Sequence, residues 1–303
     1  MPENTYILCP GQGAQHVGMG KDFAEASDAA RQTFVEADAI VPGLSGFCFD
    51  GPEETLNQTD VSQPAIFATS VACFRAAGLE TPTAYAGLSL GEYTALHLAG
   101  VFDFETGLRL VQARGRYMQD AATATPSGMV SLLGGDEAQV TDLCTKAAEG
   151  EVLVPANFNC PGQIVVSGTM SACGRVAELA AADGLRVFPL KVAGAFHSPL
   201  MQPAADRMAA ELDRVSFSEP TVPVWSNVTA EPHVGVDDIK KRLVEQITQP
   251  VRWSQTIEKL VGGDASFVEL APGRVLTGLL KKIDRKAPMR TLNNAEALAA
   301  DPG

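Results

Sequence analysis

Apolar and polar positions change period along this chain, and the changes mark out its elements. Tyr6-Ile7-Leu8-Cys9 is an unbroken apolar run leading into a glycine-rich turn, the pattern of a short buried strand. Apolar positions at helical spacing follow over about 24–41 and again over 61–77. Ala84-Tyr85-Ala86 reads as a second strand, "EYTALHLAG" as a helix ending at Gly100, and 104–122 as a longer helix. Strand-then-helix order of this kind predicts a parallel sheet with helices on its faces.

Between 127 and 192 the order changes. Strands are predicted over 129–133, 152–157, 163–167 and 186–190, with helices over 137–148 and 170–182. That β-α-β-β-α-β sequence is the split βαβ arrangement of a ferredoxin-like unit. The expected fold is therefore α/β. A large domain with a mostly parallel sheet (1–126 and 193–303) carries an inserted ferredoxin-like subdomain (127–192), and a cleft between them is the default binding site. A helix is expected to open at about Pro199, and the final "EALAADPG" to fray.

Composition adds limits. With 46% hydrophobic and 19% charged residues and no low-complexity run, the chain has the make-up of a soluble globular protein. No apolar segment approaches the ~20 residues that cross a bilayer. The opening "MPENTYILCPGQGAQ" lacks the basic start of a signal peptide, so a cytoplasmic protein is expected. Six cysteines without ligand spacing read as reduced buried thiols, and no metal is expected. A net charge of −13 argues against nucleic acid. The local exception is "LLKKIDRKAPMR", with Lys281, Lys282, Arg285, Lys286 and Arg290. It reads either as a solvated helix end, where cations suit the dipole, or as a dock for an acidic partner.

Candidate chemistry centres on Gly87-Leu88-Ser89-Leu90-Gly91. This G-x-S-x-G follows a strand and opens a helix, the sharp α/β-hydrolase-like turn that holds a serine hydroxyl outward. Ser89-x-x-Glu92 is equally a capping box, which needs no chemistry. A nucleophile needs a base, and there are four histidines. His97 lies eight residues into the helix that Ser89 begins, ~12 Å along its axis. His16 adjoins the "GQGAQ" turn, and His233 reads as an exposed loop residue. His197, in "AGAFHSPLM", falls where the chain re-enters the large domain, and is either the base or a packing residue. Arg114 lies on the apolar stripe of its helix with Val111 and Met118. A guanidinium drawn inward needs an anion, which is either an internal Asp or Glu or a substrate carboxylate.

With these residues in place the sequence resembles the malonyl-CoA:acyl carrier protein transacylases, the acyltransferases of fatty acid and polyketide synthesis. The likeness runs through "PGQGAQHVGMG", "QPAIFATSVA", "GLSLGEYTAL", "QARGRYMQ", "ANFNCPGQIVVSG", "AFHSPLM", "VWSNVTA", "QITQPVRW" and "VELAPGRVLTGLL", in order over nearly the whole chain. The resemblance implies that Ser89 takes the acyl group and His197 is its general base and acid. It implies an oxyanion hole from the backbone N–H groups of Gln12 and Leu90, and a backbone carbonyl of Gln246 orienting the histidine. Arg114 is then the malonyl carboxylate's partner, with Asn159 lining the pocket. Phe196, bulky as in malonyl-specific members, is expected to crowd a 2-methyl branch. No cofactor is implied: malonyl-CoA is the substrate, and the phosphopantetheine belongs to the acyl carrier protein, which is expected to dock at Lys281, Lys282, Arg285 and Lys286 on a monomeric enzyme. Departures are Leu88 where histidine is frequent and Cys160 where serine is common. The runner-up is an acyl hydrolase of the same fold that clears carrier proteins, against which Arg114 speaks.

Overall fold

The computed structural model describes residues 4–299. Its strands are β1 (Thr5–Cys9), β2 (Ala84–Gly87), β3 (Ser127–Leu133), β4 (Leu153–Cys160), β5 (Gln163–Thr169), β6 (Arg186–Pro189), β7 (Val224–Trp225), β8 (Ser266–Leu270) and β9 (Met289–Leu292). Five of them form one sheet in the order β7-β2-β1-β8-β9, in which every pairing is parallel. Such a sheet is covered on both faces, which is why β1 and β2 read as apolar runs without alternation. The other four make an antiparallel sheet in the order β4-β5-β3-β6, the ferredoxin-like arrangement. The molecule is thus a large α/β domain with a small antiparallel subdomain.

The helices Glu137–Ala148 and Met170–Ala182 cover the small sheet over a core of its own, built from residues such as Val130, Leu132, Leu143, Ile164, Val166 and Val176. In the large domain the helices Thr59–Ala77 and Phe104–Ala124 pack against each other. The first of these is buried at every position from Thr59 to Cys73 except Asp60 and Val61, so its apolar residues run all round rather than along one stripe. The two units are stitched where Phe158 of β4 donates to the Val251 carbonyl at 2.9 Å and Val251 donates to the Ala156 carbonyl at 2.8 Å.

The structure departs from the sequence pattern in several places. The helical pattern over 24–41 is two helices, Lys21–Ala26 and Asp28–Ile40. They part at Ser27, which is extended and accepts the Ala30 N–H at 3.4 Å as the cap of the second. Pro199–Met201 is a single 3-10 turn, and the α-helix begins at Gln202. Strands β7, β8 and β9 were not foreseen, nor were the short helices Leu44–Asp50 and Glu53–Leu56. Of the segment expected to fray, Glu296–Ala299 forms a helical turn and the remainder lies outside the described residues. No helix is long and apolar enough to cross a membrane among the described residues.

Candidate active site

The site sits at the carboxyl ends of β1 and β2, neighbours in the parallel sheet, where an open α/β sheet presents its crevice. β2 ends at Gly87 and the helix Leu90–Leu98 starts three residues later, so the chain must reverse within the turn that holds Ser89. Ser89 adopts φ 53°, ψ −106°, a conformation that L-residues rarely hold without support. The turn closes only because its flanks are glycines. A Cβ at Gly87 would lie 1.9 Å from the carbonyl carbon of Gly91, and one at Gly91 would lie 2.1 Å from the Cys9 carbonyl oxygen and 2.9 Å from that of Pro10. The same close approach sets the "PGQG" loop after β1 against the serine turn, with Leu88 N–H donating to Cys9 O at 3.1 Å.

The capping-box reading of Ser89 and Glu92 does not hold. Ser89 offers no side-chain cap to its helix. Its Oγ lies 2.9 Å from His197 Nε2 and accepts from Arg114 Nη2 at 3.0 Å. Glu92 is turned inward and fully buried.

His197 comes from the loop between β6 and the 3-10 turn, 108 residues downstream, and is itself held at φ 56°. Its Nδ1 lies 2.7 Å from the backbone carbonyl of Gln246. A carbonyl only accepts, so Nδ1 carries the hydrogen and Nε2 presents its lone pair to Ser89. No carboxylate contacts the ring among the described residues; the third member of the array is a main-chain oxygen. The imidazole is 3% exposed. Burial, and then the charge of Arg114, hold its pKa down to about 4, with the bond to Gln246 opposing.

Arg114 is 1% exposed, on the buried face of Phe104–Ala124 and over the Tyr93 ring at 5.5 Å. Its Nη1 donates to Gln63 Oε1 at 2.7 Å and its Nη2 to Gln246 Oε1 at 2.9 Å as well as to Ser89. An internal Asp or Glu was one expectation for its partner, yet none pairs with it directly. Its acceptors are two amide oxygens and one hydroxyl, which leaves a buried cation without an adjacent anion.

The remaining candidates fall as follows. Leu90 N–H is the first donor of its helix and has no intrahelical partner, as helix starts require. Gln12 lies in the loop set against the serine turn, its side chain 3.4 Å from Thr59 Oγ1. Phe196 is buried beside His197. Asn159 is half-buried at the bulged end of β4 and makes no hydrogen bond to Ser89, His197 or Arg114. His97 faces the Phe102 carbonyl at 3.0 Å and packs on Phe67 and Phe104, while His16 is exposed.

His233 is a correction. Expected in an exposed loop, its side chain is fully buried, and Nε2 lies 2.8 Å from Glu92 Oε1. Asn227 was also missed as an individual residue. Its Oδ1 accepts the Ser89 N–H at 2.6 Å and its Nδ2 donates to the Gly87 carbonyl at 2.7 Å, clamping both sides of the turn. Gln63 is a third. Asn227 and Gln63 lie in the stretches "VWSNVTA" and "QPAIFATSVA", marked only by the family resemblance, whereas His233 lies outside every such stretch.

All six cysteines are free thiols and buried. Burial pushes the Cys9, Cys48 and Cys73 thiols up, away from reactivity. Among the described residues no group of His, Cys, Asp and Glu is arranged to hold a metal ion. Lys281, Lys282, Arg285 and Lys286 are exposed at the end of the helix Val275–Ile283, whose apolar side joins the cluster that Leu88 packs against. Lys282 Nζ donates to Gln163 Oε1 at 2.8 Å, and Arg290 is engaged with the Ala297 carbonyl at 2.9 Å.

A strand-turn-helix serine beside a histidine held by a carbonyl can take up and release an acyl group, and the sequence places this two-sheet frame among the acyltransferases. Residues 5–298 match the family model described as "Acyl transferase domain", and the chain belongs to that family. It is 42% identical over 300 residues to the malonyl CoA-acyl carrier protein transacylase of Escherichia coli K12, covering 97% of each chain. The solved structure of the malonyl CoA-acyl carrier protein transacylase from Coxiella burnetii superposes with a TM-score of 0.95 at 37% identity, covering 99% of this chain and 96% of that one. A further solved structure, a type II PKS acyl-carrier protein in complex with its malonyl-transacylase, matches with a TM-score of 0.93 at 38% identity over 98% of each chain.

Proposed function

We propose that this chain transfers a malonyl group from malonyl-CoA to the phosphopantetheine thiol of an acyl carrier protein, through an ester on Ser89. The observation that carries the reading is that one oxygen, Ser89 Oγ, has a base at 2.9 Å and a buried guanidinium at 3.0 Å. In a malonyl ester the free carboxylate lies three bonds beyond Oγ, roughly 3–4 Å away by ordinary bond lengths. Arg114 is at that range and holds no anion of its own.

His197 Nε2 takes the Ser89 proton as Oγ attacks the thioester carbon. The oxyanion forms against the N–H groups of Gln12 and Leu90, the second reinforced by its helix dipole. The C–S bond breaks, the pair leaves on sulfur, and the proton on His197 passes to it as CoA departs. The carrier thiol then repeats the cycle in reverse. Both thioesters join an acyl group to the same kind of arm, so the exchange is near thermoneutral and runs as ping-pong kinetics. The Gln246 carbonyl keeps the tautomer without supplying charge. Burial and then Arg114 lower the basicity of His197, so a carboxylate seated on that guanidinium offsets only the part that Arg114 contributes.

Phe196, beside the base, disfavours a 2-methyl branch, and Asn159 lines the pocket from β4. The reaction needs no metal or cofactor of the enzyme's own. The exposed Lys281, Lys282, Arg285 and Lys286 are the dock for an acidic carrier protein, the enzyme working as a cytoplasmic monomer. The separate core of the antiparallel sheet supports taking 127–192 as an inserted subdomain, with 1–126 and 193–303 as the large domain.

Intact mass after brief exposure to malonyl-CoA, then to holo carrier protein, tests the reading. Parent enzyme is expected to gain a malonyl adduct absent from Ser89→Ala, and to lose it to the carrier. Decay to free malonate at one rate with or without carrier makes the chain a hydrolase instead. No adduct removes Ser89 as the nucleophile.

A further inference from the structure

Beneath the serine turn lies a buried polar cluster that the transfer steps above do not use. Glu92, 0% exposed, is its centre. Its Oε2 accepts from the Asn227 backbone N–H at 3.0 Å and from Gln246 Nε2 at 2.7 Å, and its Oε1 faces His233 Nε2 at 2.8 Å. Asn227 and Gln246 are the two residues that arrange the site. Asn227 clamps Ser89 N–H and the Gly87 carbonyl. Gln246 reaches every reacting group: its main-chain carbonyl holds His197 at 2.7 Å, its Oε1 holds Arg114 at 2.9 Å, and its Nε2 donates to the Ser89 carbonyl at 3.0 Å.

The Gln246 amide has only one satisfactory orientation. On one side stands a guanidinium, which only donates, and on the other a carboxylate, which accepts when ionised. Reversal would set amide N–H against Arg114 and amide oxygen against Glu92. The amide therefore bridges the buried guanidinium of Arg114 and the buried carboxyl group of Glu92, which do not touch. This leaves Arg114 supported when no substrate is present, and its bond to Ser89 Oγ is the one an incoming carboxylate would displace or share.

We infer that Glu92 is a positioning residue for acyl transfer, acting through Gln246 on His197 and Arg114 together and through Asn227 on the backbone of Ser89. The inference rests on the reading of Ser89, His197 and Arg114 given above. It predicts a pattern that loss of stability alone does not produce. When Glu92 is lost, the acylation rate falls and the preference for malonyl over acetyl narrows, because base and carboxylate receptor lose one shared support.

The test measures single-turnover acylation by malonyl-CoA and by acetyl-CoA, by intact mass, on enzyme shown to be folded by circular dichroism. Parent and Ser89→Ala are run first; if the parent forms no Ser89 adduct, the proposed function falls and not this inference. Hydrogen bonds to charged groups set the expected size: Glu92→Ala should lower the malonyl rate about 10- to 100-fold and bring the malonyl-to-acetyl ratio toward that of Arg114→Ala. If Glu92→Ala does not fold, Glu92→Asp carries the test. It keeps the charge but withdraws the oxygens by one methylene, about 1.5 Å, and should show the same narrowing. Glu92→Gln, which keeps an acceptor oxygen in place, should recover much of what Ala or Asp loses. A double-mutant cycle closes the argument: with Gln246→Leu already present, removing Glu92 should change the malonyl-to-acetyl ratio little. A folded Glu92→Ala or Glu92→Asp enzyme with parental malonyl rate and parental ratio overturns the inference. So does strict additivity with Gln246→Leu.

Discussion

Replacing Arg114 by alanine separates what this guanidinium does for the nucleophile from what it does for the acyl group. In the free enzyme it donates to Gln63, Gln246 and the Ser89 hydroxyl, at 2.7, 2.9 and 3.0 Å. Its loss leaves those acceptors short and loosens Ser89, a penalty felt equally by malonyl- and acetyl-CoA. The second penalty falls on malonyl alone. A carboxylate brought into a site that is 1% exposed at Arg114 loses its water and now meets no cation. Breaking a buried pair by removing one member costs roughly 3–5 kcal/mol. Water entering the space left by the side chain returns part of that, so the lower end applies, and 3 kcal/mol is about 150-fold. The kcat/KM ratio of malonyl-CoA to acetyl-CoA should therefore fall about 100-fold in Arg114→Ala, whatever happens to the two values separately. Arg114→Lys should fall nearly as far, because an ammonium cannot span Gln63, Gln246 and a carboxylate as a planar fork does. Steady-state kinetics with both thioesters at saturating carrier protein gives the ratio directly. An equal loss on both substrates would falsify the carboxylate assignment and reduce Arg114 to a support for Ser89.

Four further outcomes follow from the geometry. His197 must be neutral to accept the serine proton, and its pKa is lowered to about 4, so kcat/KM for acylation should hold from neutral pH down to about 5 and halve near 4; a half-point near the ordinary 6.5 would mean the imidazole is wet and unperturbed. The same shift implies that the unfolded chain binds more protons than the folded one between these two values, so stability declines as pH falls from about 6.5 to about 4, seen as a falling Tm. Gly91→Ala places a methyl 2.1 Å from the Cys9 carbonyl oxygen and should cost more than the ~1–3 kcal/mol of ordinary overpacking, with little soluble protein recovered; a normally folded variant would show that the turn is looser than described. Reversing charge at Lys281 and Lys282 should raise KM for carrier protein and leave malonyl-CoA acylation unchanged, whereas unchanged KM would move the docking surface elsewhere.

Local chemistry made some of this molecule readable from its residues and left the rest hidden. β1, β2 and the antiparallel unit announce themselves because their apolar runs are bounded by turns and their helices have a clear period. Ser89 is marked by its two glycines, which the close packing of the turn demands. β7 is only two residues long, β8 is a strand by virtue of β1, laid down far earlier in the chain, and β9 is a strand only because β8 is there to pair with it. No local pattern records that. The site divides the same way. Glu92 looks like a helix cap because a capping box and a buried carboxylate share a spelling, and only the arrival of Asn227, Gln246 and His233 from more than 130 positions away decides between them. His233 misleads for the same reason: flanked by proline and glycine it has the composition of a surface loop, and its burial depends on a partner from another element.

The clamp on the serine turn carries a consequence for biosynthesis. Ser89 is held in its disfavoured backbone conformation by a side chain 138 residues downstream and by another 157 residues downstream. A ribosome will have released β1, β2 and the serine turn long before either support exists. Until Gln246 emerges, the nascent chain carries a serine with no oriented base and no buried guanidinium to select its acyl group. Such a polypeptide cannot capture malonyl thioesters prematurely and spill them to water. Competence for chemistry thus arrives in one late event, when long-range contacts close. On the proposed mechanism, acylation of Ser89 would report on folding from the first strand through the Gln246 loop, and a truncated or misassembled copy should be silent rather than leaky.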